Sequence, residues 1–138
     1  MPVATGLRIL GTAMSAQRTR LHVTASNLAN ASTTRTPDGG PYKRKDPVFL
    51  ADPVAGLEPE DGLNTVVVDE IVTDETEGPM KYEPDHPDAN DDGYVRMPNV
   101  NVVEETVNMV TASRSFEANV QAFQTLREMA AKALEIGR

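Results

Sequence analysis

"VTASNLANASTT", Val23 to Thr34, ends a segment of helical spacing and carries no charge at all, only small residues, amides and hydroxyls. Exposed helix ends usually carry charge and buried ones aliphatics. Small residues such as Ala25, Ala29 and Ala31 let helices approach closely. Amides such as Asn27 and Asn30 specify register where a charge would be too costly to bury. The stretch therefore points to burial between helices. The competing reading is a frayed terminus with Asn and Ser capping.

Upstream of it, Leu7, Met14, Leu21 and Leu28 repeat every seven residues, with Val3 and Leu10 at accompanying positions. Gln17 and Thr24 interrupt this seam, and Gly6 and Gly11 weaken the helix by up to about 1 kcal/mol each. Such a helix forms against a partner, and it should stop near Asn30 because "STTRTPDGGP" is rich in turn formers. The far end mirrors it. Met109, Phe116, Phe123 and Ala130 repeat every seven residues, each followed three residues later by Ala112, Asn119, Leu126 and Ala133. No Pro or Gly interrupts the chain from Val102 until Gly137, so a helix of about 30 residues, roughly 45 Å long, is expected. Val103, Val107, Val110 and Val120 add apolar surface outside that seam, and a helix apolar on more than one face needs more than one partner.

Between the helices lie nine of the ten prolines and four short β signals: "PVFLAD", "TVVVDEIVT", "MKYE" and "YVRM". The expected fold is α+β: two long terminal α-helices packed as an antiparallel coiled-coil-like hairpin, with a small irregular β insertion between them. The parts are residues 1–34, an acidic β-rich insertion over 35–101, and residues 102–138.

Charge is segregated. Residues 1–51 hold seven Lys/Arg and two Asp/Glu, whereas residues 52–92 hold fourteen acids and the single base Lys81. A basic end joined to an acidic middle invites contact between copies, although a solvated acidic loop would look the same. Nucleic acid is not an expected partner, since the acidic middle repels phosphate. No cysteine is present, which excludes disulfides, thiolate zinc sites and cysteine nucleophiles. No apolar run approaches a membrane span, and "MPVATGLRILGTAMSAQRTR" lacks the h-region of a cleaved secretory signal.

Chemistry finds little purchase. "DANDDGYVRMPN" places Asp88, Asn90, Asp92 and Gly93 as in the start of a calcium loop, but the twelfth position is Asn99, which cannot supply the bidentate carboxylate. A calcium-responsive dimeric binding module using Asp88–Asn99 stands as the alternative function; an acidic turn is the simpler account. His22 and His86 lie far apart, "DGGPYKRK" lacks the phosphate-loop spacing, and no nucleophile elbow supports a Ser–His–Asp set. Neither an enzyme, a cofactor nor a small-molecule substrate is expected.

"ASNLANASTTRT" resembles the N-terminal signature of bacterial flagellar axial proteins, the rod and hook components, and "VEETVNMVTASRSFEANVQAF" is similar to their paired C-terminal signature. "GGPYKRKDPVF", "HPDANDDGYVRMPNVNVVEE" and the closing "ALEIGR" resemble the proximal rod members. Ser32, Thr106 and Phe116 depart from that pattern, where Asn, Met and Tyr would stand. The resemblance implies a structural rod subunit that leaves the cell through the flagellar type III export apparatus without signal cleavage. It would polymerise helically and transmit motor torque across the periplasm. Its implied partners are other copies of itself and the related rod proteins FlgB, FlgF and FlgG, with FliE joining the rod to the MS ring. The terminal helices would form an inner layer, with the insertion outside. The expected assembly interface is Leu7, Met14, Leu21, Ala25, Ser26, Asn27, Leu28, Ala29 and Asn30 on the first helix, and Val107, Met109, Phe116, Asn119, Phe123 and Leu126 on the second. Unsatisfied seams imply termini that fold on assembly.

Overall fold

The computed structural model describes residues 2–54 and 62–136. Two helices dominate: α1, Pro2–Ala29, and α2, Val102–Ile136, which meet the expected limits closely. The end of the closing "ALEIGR" lies outside the described residues. Between the helices run β1 (Lys45–Pro53), β2 (Asn64–Thr73), β3 (Met80–Tyr82) and β4 (Tyr94–Arg96), one for each β signal in the sequence.

The helices are antiparallel, with a register set at two points. Gly6 lies against Leu126, where an added Cβ would sit 2.7 Å from the leucine Cδ2. At the other end Asn27 bonds Glu105. The two contacts are equally spaced on both helices, so the pair runs without a slip. Gly6 thus has a packing reason that offsets its weak helix propensity. Past Gly6, α1 has only about one turn left, and residues 131–136 of α2 run beyond it, all exposed.

On α2 the face turned to α1 is the predicted seam. Met109, Phe116, Asn119, Phe123, Leu126 and Ala130 are half-buried, and Ala112 is fully buried. On α1 the leucine seam is not the deepest face. Leu7, Met14, Leu21 and Leu28 are half-buried, while Ala16, Val23, Thr24 and Asn27 are buried. The reason is that α1 is packed on two sides, by α2 and by the β1–β2 hairpin. The heptad spacing showed only the coiled-coil side.

The β1–β2 hairpin pairs Lys45 with Thr73 at one end and Pro53 with Asn64 at the other, with a bulge at Val48/Phe49 that leaves Asp69 as the extra residue. Pro47, Phe49, Val66 and Val68 are half-buried on its inner face. The Val66 N–H donates to Thr12 Oγ1 of α1 at 3.3 Å. β3 and β4 make a second small hairpin, closed by Tyr82 and Tyr94 in an edge-to-face contact with centroids 5.2 Å apart. Gly78 lies where an added Cβ would come within 1.9 Å of the Met97 carbonyl oxygen, so only glycine fits there.

Candidate assembly interface

The uncharged end of α1 meets the rest of the chain through Asn27, whose side chain is 1% exposed. Its Oδ1 accepts from the Tyr42 hydroxyl at 2.9 Å and the Lys45 N–H at 3.0 Å. Its Nδ2 donates to the Lys45 carbonyl at 2.8 Å and to Glu105 Oε2 at 3.0 Å. Both acceptor sites and both donors of the amide are therefore used. Glu105, also 1% exposed, receives Arg44 Nε on its other oxygen at 2.7 Å. That charge-assisted bond strengthens the hold on the guanidinium proton and raises the Arg44 pKa above its already high ordinary value.

Asn99 extends the joint. Its Oδ1 accepts the Arg44 N–H at 2.7 Å, and its Nδ2 donates to the carbonyls of Asp74 and Thr76 at 3.0 and 2.9 Å. One joint thus ties the end of α1, the start of β1, the segment after β2 and the first turn of α2. Its chemistry is that of a structural clasp, since each buried ion or amide meets its complement and no polar atom is left aimed at a ligand.

One reading of the sequence changes here. Asn27 was expected at contacts between neighbouring subunits, but all its hydrogen bonds go to its own chain. Glu105, for which the sequence suggested no role, is the most deeply buried large side chain of α2. Tyr42, Arg44 and Asn99 were missed as partners. The available signal was an uncharged amide on a helix, facing a basic strand entry and an acidic first helical turn.

The remaining predicted residues sort by exposure. Ala25, Ser26 and Ala29 face outward, and Asn30 is half-buried, its Nδ2 donating to the Ser26 carbonyl at 2.9 Å. Val107 is 60% exposed, and Val103 and Val110 share its side of α2, opposite the seam that faces α1. Leu134 and Ile136 on the overhang are 76% and 86% exposed. Beside Leu10, the helices leave an apolar open groove floored by Ala118, Ala122, Leu126 and Met129. Large apolar side chains on the far side and on the overhang are what an unassembled helical subunit leaves open.

The Asp88 loop is held differently from a cation site. Asp88 Oδ2 accepts from Thr34 Oγ1 at 2.8 Å, and its Oδ1 pairs with Arg35 at 2.6 Å. Asn90 Oδ1 caps the backbone N–H groups of Asp92 and Tyr94. Asn99 is turned into the clasp. The loop anchors the second hairpin to the turn after α1. Among the described residues no cluster of three or more His, Asp or Glu could hold a metal, and no helix is long and apolar enough to cross a membrane.

A pair of long terminal helices with unpartnered apolar faces, joined by a small β insertion, defines the class of axial assembly subunits. Profile comparison agrees: "Flagella basal body rod protein" matches residues 7–35, and "Flagellar basal body rod FlgEFG protein C-terminal" matches residues 91–136. The flagellar basal-body rod protein FlgC of Salmonella typhimurium is 42% identical over 130 residues, covering 94% of both chains. Those of Borreliella burgdorferi and Bacillus subtilis are each 38% identical, covering 99% and 96% of this chain and 98% and 96% of their own. The chain belongs to the FlgC family of flagellar basal-body rod proteins. These are structural proteins of the basal body, not enzymes.

Proposed function

We propose that this chain, a structural rod subunit like its family, polymerises helically through α1 and α2 and carries motor torque across the periplasm. The observation that supports this best is the reverse face of α2. Val103, Val107 and Val110, with Leu134 and Ile136 beyond the reach of α1, stand between 48% and 86% exposed. Burying each in an assembly would contribute roughly 1.5–3 kcal/mol for a side chain moved fully out of water. Such a face repeats in every copy, so one modest interface multiplies along a filament.

Ala25, Ser26 and Ala29 lie on the outward side of α1, where a neighbouring helix could approach closely. Leu7, Met14, Leu21, Leu28, Met109, Phe116 and Phe123 are already half-covered within the chain, and assembly would complete their burial. The neighbours would be other copies and the rod proteins FlgB, FlgF and FlgG, with FliE at the MS ring. The chain would reach its place through the flagellar type III export apparatus, without signal cleavage.

The test is a flagellated strain in which this chain is the only copy of its kind. Swimming, together with recovery of the chain with an unprocessed N-terminus in purified basal bodies, is the expected result. Swimming cells whose basal bodies lack the chain would end the proposal.

A further inference from the structure

We infer that the outer face of the β1–β2 hairpin is a docking surface for the exposed face of α1 in a second copy of this chain. The inference rests on the rod reading above and names one contact within it. A two-stranded hairpin needs cover on its faces to be stable, and α1 covers only the inner one. The register places Leu50 opposite Val67, Val48 opposite Glu70 and Asp46 opposite Val72 on the outer face. Val48, Leu50, Val67 and Val72 are between about a third and a half exposed there. This apolar patch is rimmed by acids. Among the described residues Asp52, Asp69 and Glu70 make no ion pair.

The occupant follows from charge. A complementary face should be basic, free of acids and flat enough to receive branched side chains. α1 carries Arg8, Arg18, Arg20 and His22 and no Asp or Glu over its whole length. Its outward residues Ala4, Ser15, Ala25 and Ala29, with Gly11 beside them, lie on one arc of about 100°, with Arg8 at one edge and Arg18 within it. Nothing lies within 4 Å of the Cβ position of Gly11, so that arc is open. Neither Arg8 nor Arg18 has an ion-pair partner among the described residues. The back of α2 does not fit as well, because Arg114, Glu117, Glu128 and Lys132 mix both signs along it. Within one chain the hairpin covers a different side of α1, so the outer patch can reach the basic arc only on another copy. Opposite single-sign rims would also favour this docking over contact between like faces.

The test is a charge exchange in the full chain, expressed as the only copy in a flagellated strain and scored by the amount recovered in purified basal bodies. D69K with E70K, and separately R8E with R18E, should each lower recovery about fivefold, the scale of an exposed ion pair lost and turned repulsive. All four substitutions together should restore it to within about twofold. Circular dichroism of each purified chain controls for folding, since all four positions are exposed. No loss from either double substitution would overturn the hairpin–α1 contact, as would a combined variant no better than its parents. The rod reading would stand in both cases as long as the unaltered chain enters basal bodies. Absence of the unaltered chain from basal bodies would end both.

Discussion

Replacing Asn27 by alanine removes four hydrogen bonds from a site that is 1% exposed. The four partners are not equally stranded. The Tyr42 hydroxyl has Ser26 Oγ in reach at 3.4 Å, and Glu105 keeps Arg44 at 2.7 Å. The N–H and C=O of Lys45 on this side of β1 have no replacement, and an unsatisfied buried polar group costs about 1–3 kcal/mol. Allowing partial hydration through the space left by the amide, N27A should destabilise the chain by about 2–4 kcal/mol. Urea unfolding followed by far-UV circular dichroism measures this, with S26A as the control. That serine is exposed and its contact is long, so its loss should change stability by less than about 0.5 kcal/mol. If N27A cost no more than S26A, the clasp would not hold the insertion to the helices. N27D is a sharper variant. It keeps the shape but sets a second carboxylate within 3.0 Å of Glu105, and it should be at least as damaging as alanine.

Other outcomes follow from the same contacts. E105A leaves Arg44 with only the exposed Asp46, at 3.1 Å, as its counter-ion, strips Asn27 of an acceptor, and should destabilise by about 2–4 kcal/mol in the same unfolding assay. G78A drives a methyl group into the Met97 carbonyl and should lower stability by at least about 2 kcal/mol, whereas G11A meets open space and should raise it by up to about 1 kcal/mol. Thr76 bonds to the Asp74 carboxylate hold its pKa below the ordinary value. The contribution is present above the unfolded carboxylate pKa and is lost as pH falls through the lower folded one, so T76A should move the Asp74 midpoint, read by NMR titration, upward.

The helices and strands were legible because each leaves a local mark: a sevenfold apolar repeat, an alternation of β-branched residues, a cluster of turn formers. The α2 seam from Met109 to Leu126 was legible for the same reason. The clasp was not. Asn27, Tyr42, Arg44, Asn99 and Glu105 lie on separate segments, and their pairing obeys hydrogen-bond geometry, which has no sequence period. Hence the sequence places Asn27 between subunits and offers no partner for Glu105. The deeper face of α1, Ala16, Val23 and Asn27, was hidden because its second partner is a hairpin, which does not impose a heptad. The sorting of basic residues onto α1 and acids onto the insertion was visible in the chain. Only the fold showed that the two sets are turned away from each other within one copy.

The unpartnered back of α2 is tested most directly by V107D combined with V110D. Both side chains are exposed in the chain alone, so the purified variant should keep its helix content and unfolding midpoint. In a strain with no other copy, loss of the chain from purified basal bodies and loss of swimming are the predicted results. Normal rods and normal swimming with two carboxylates on that face would contradict assembly through it.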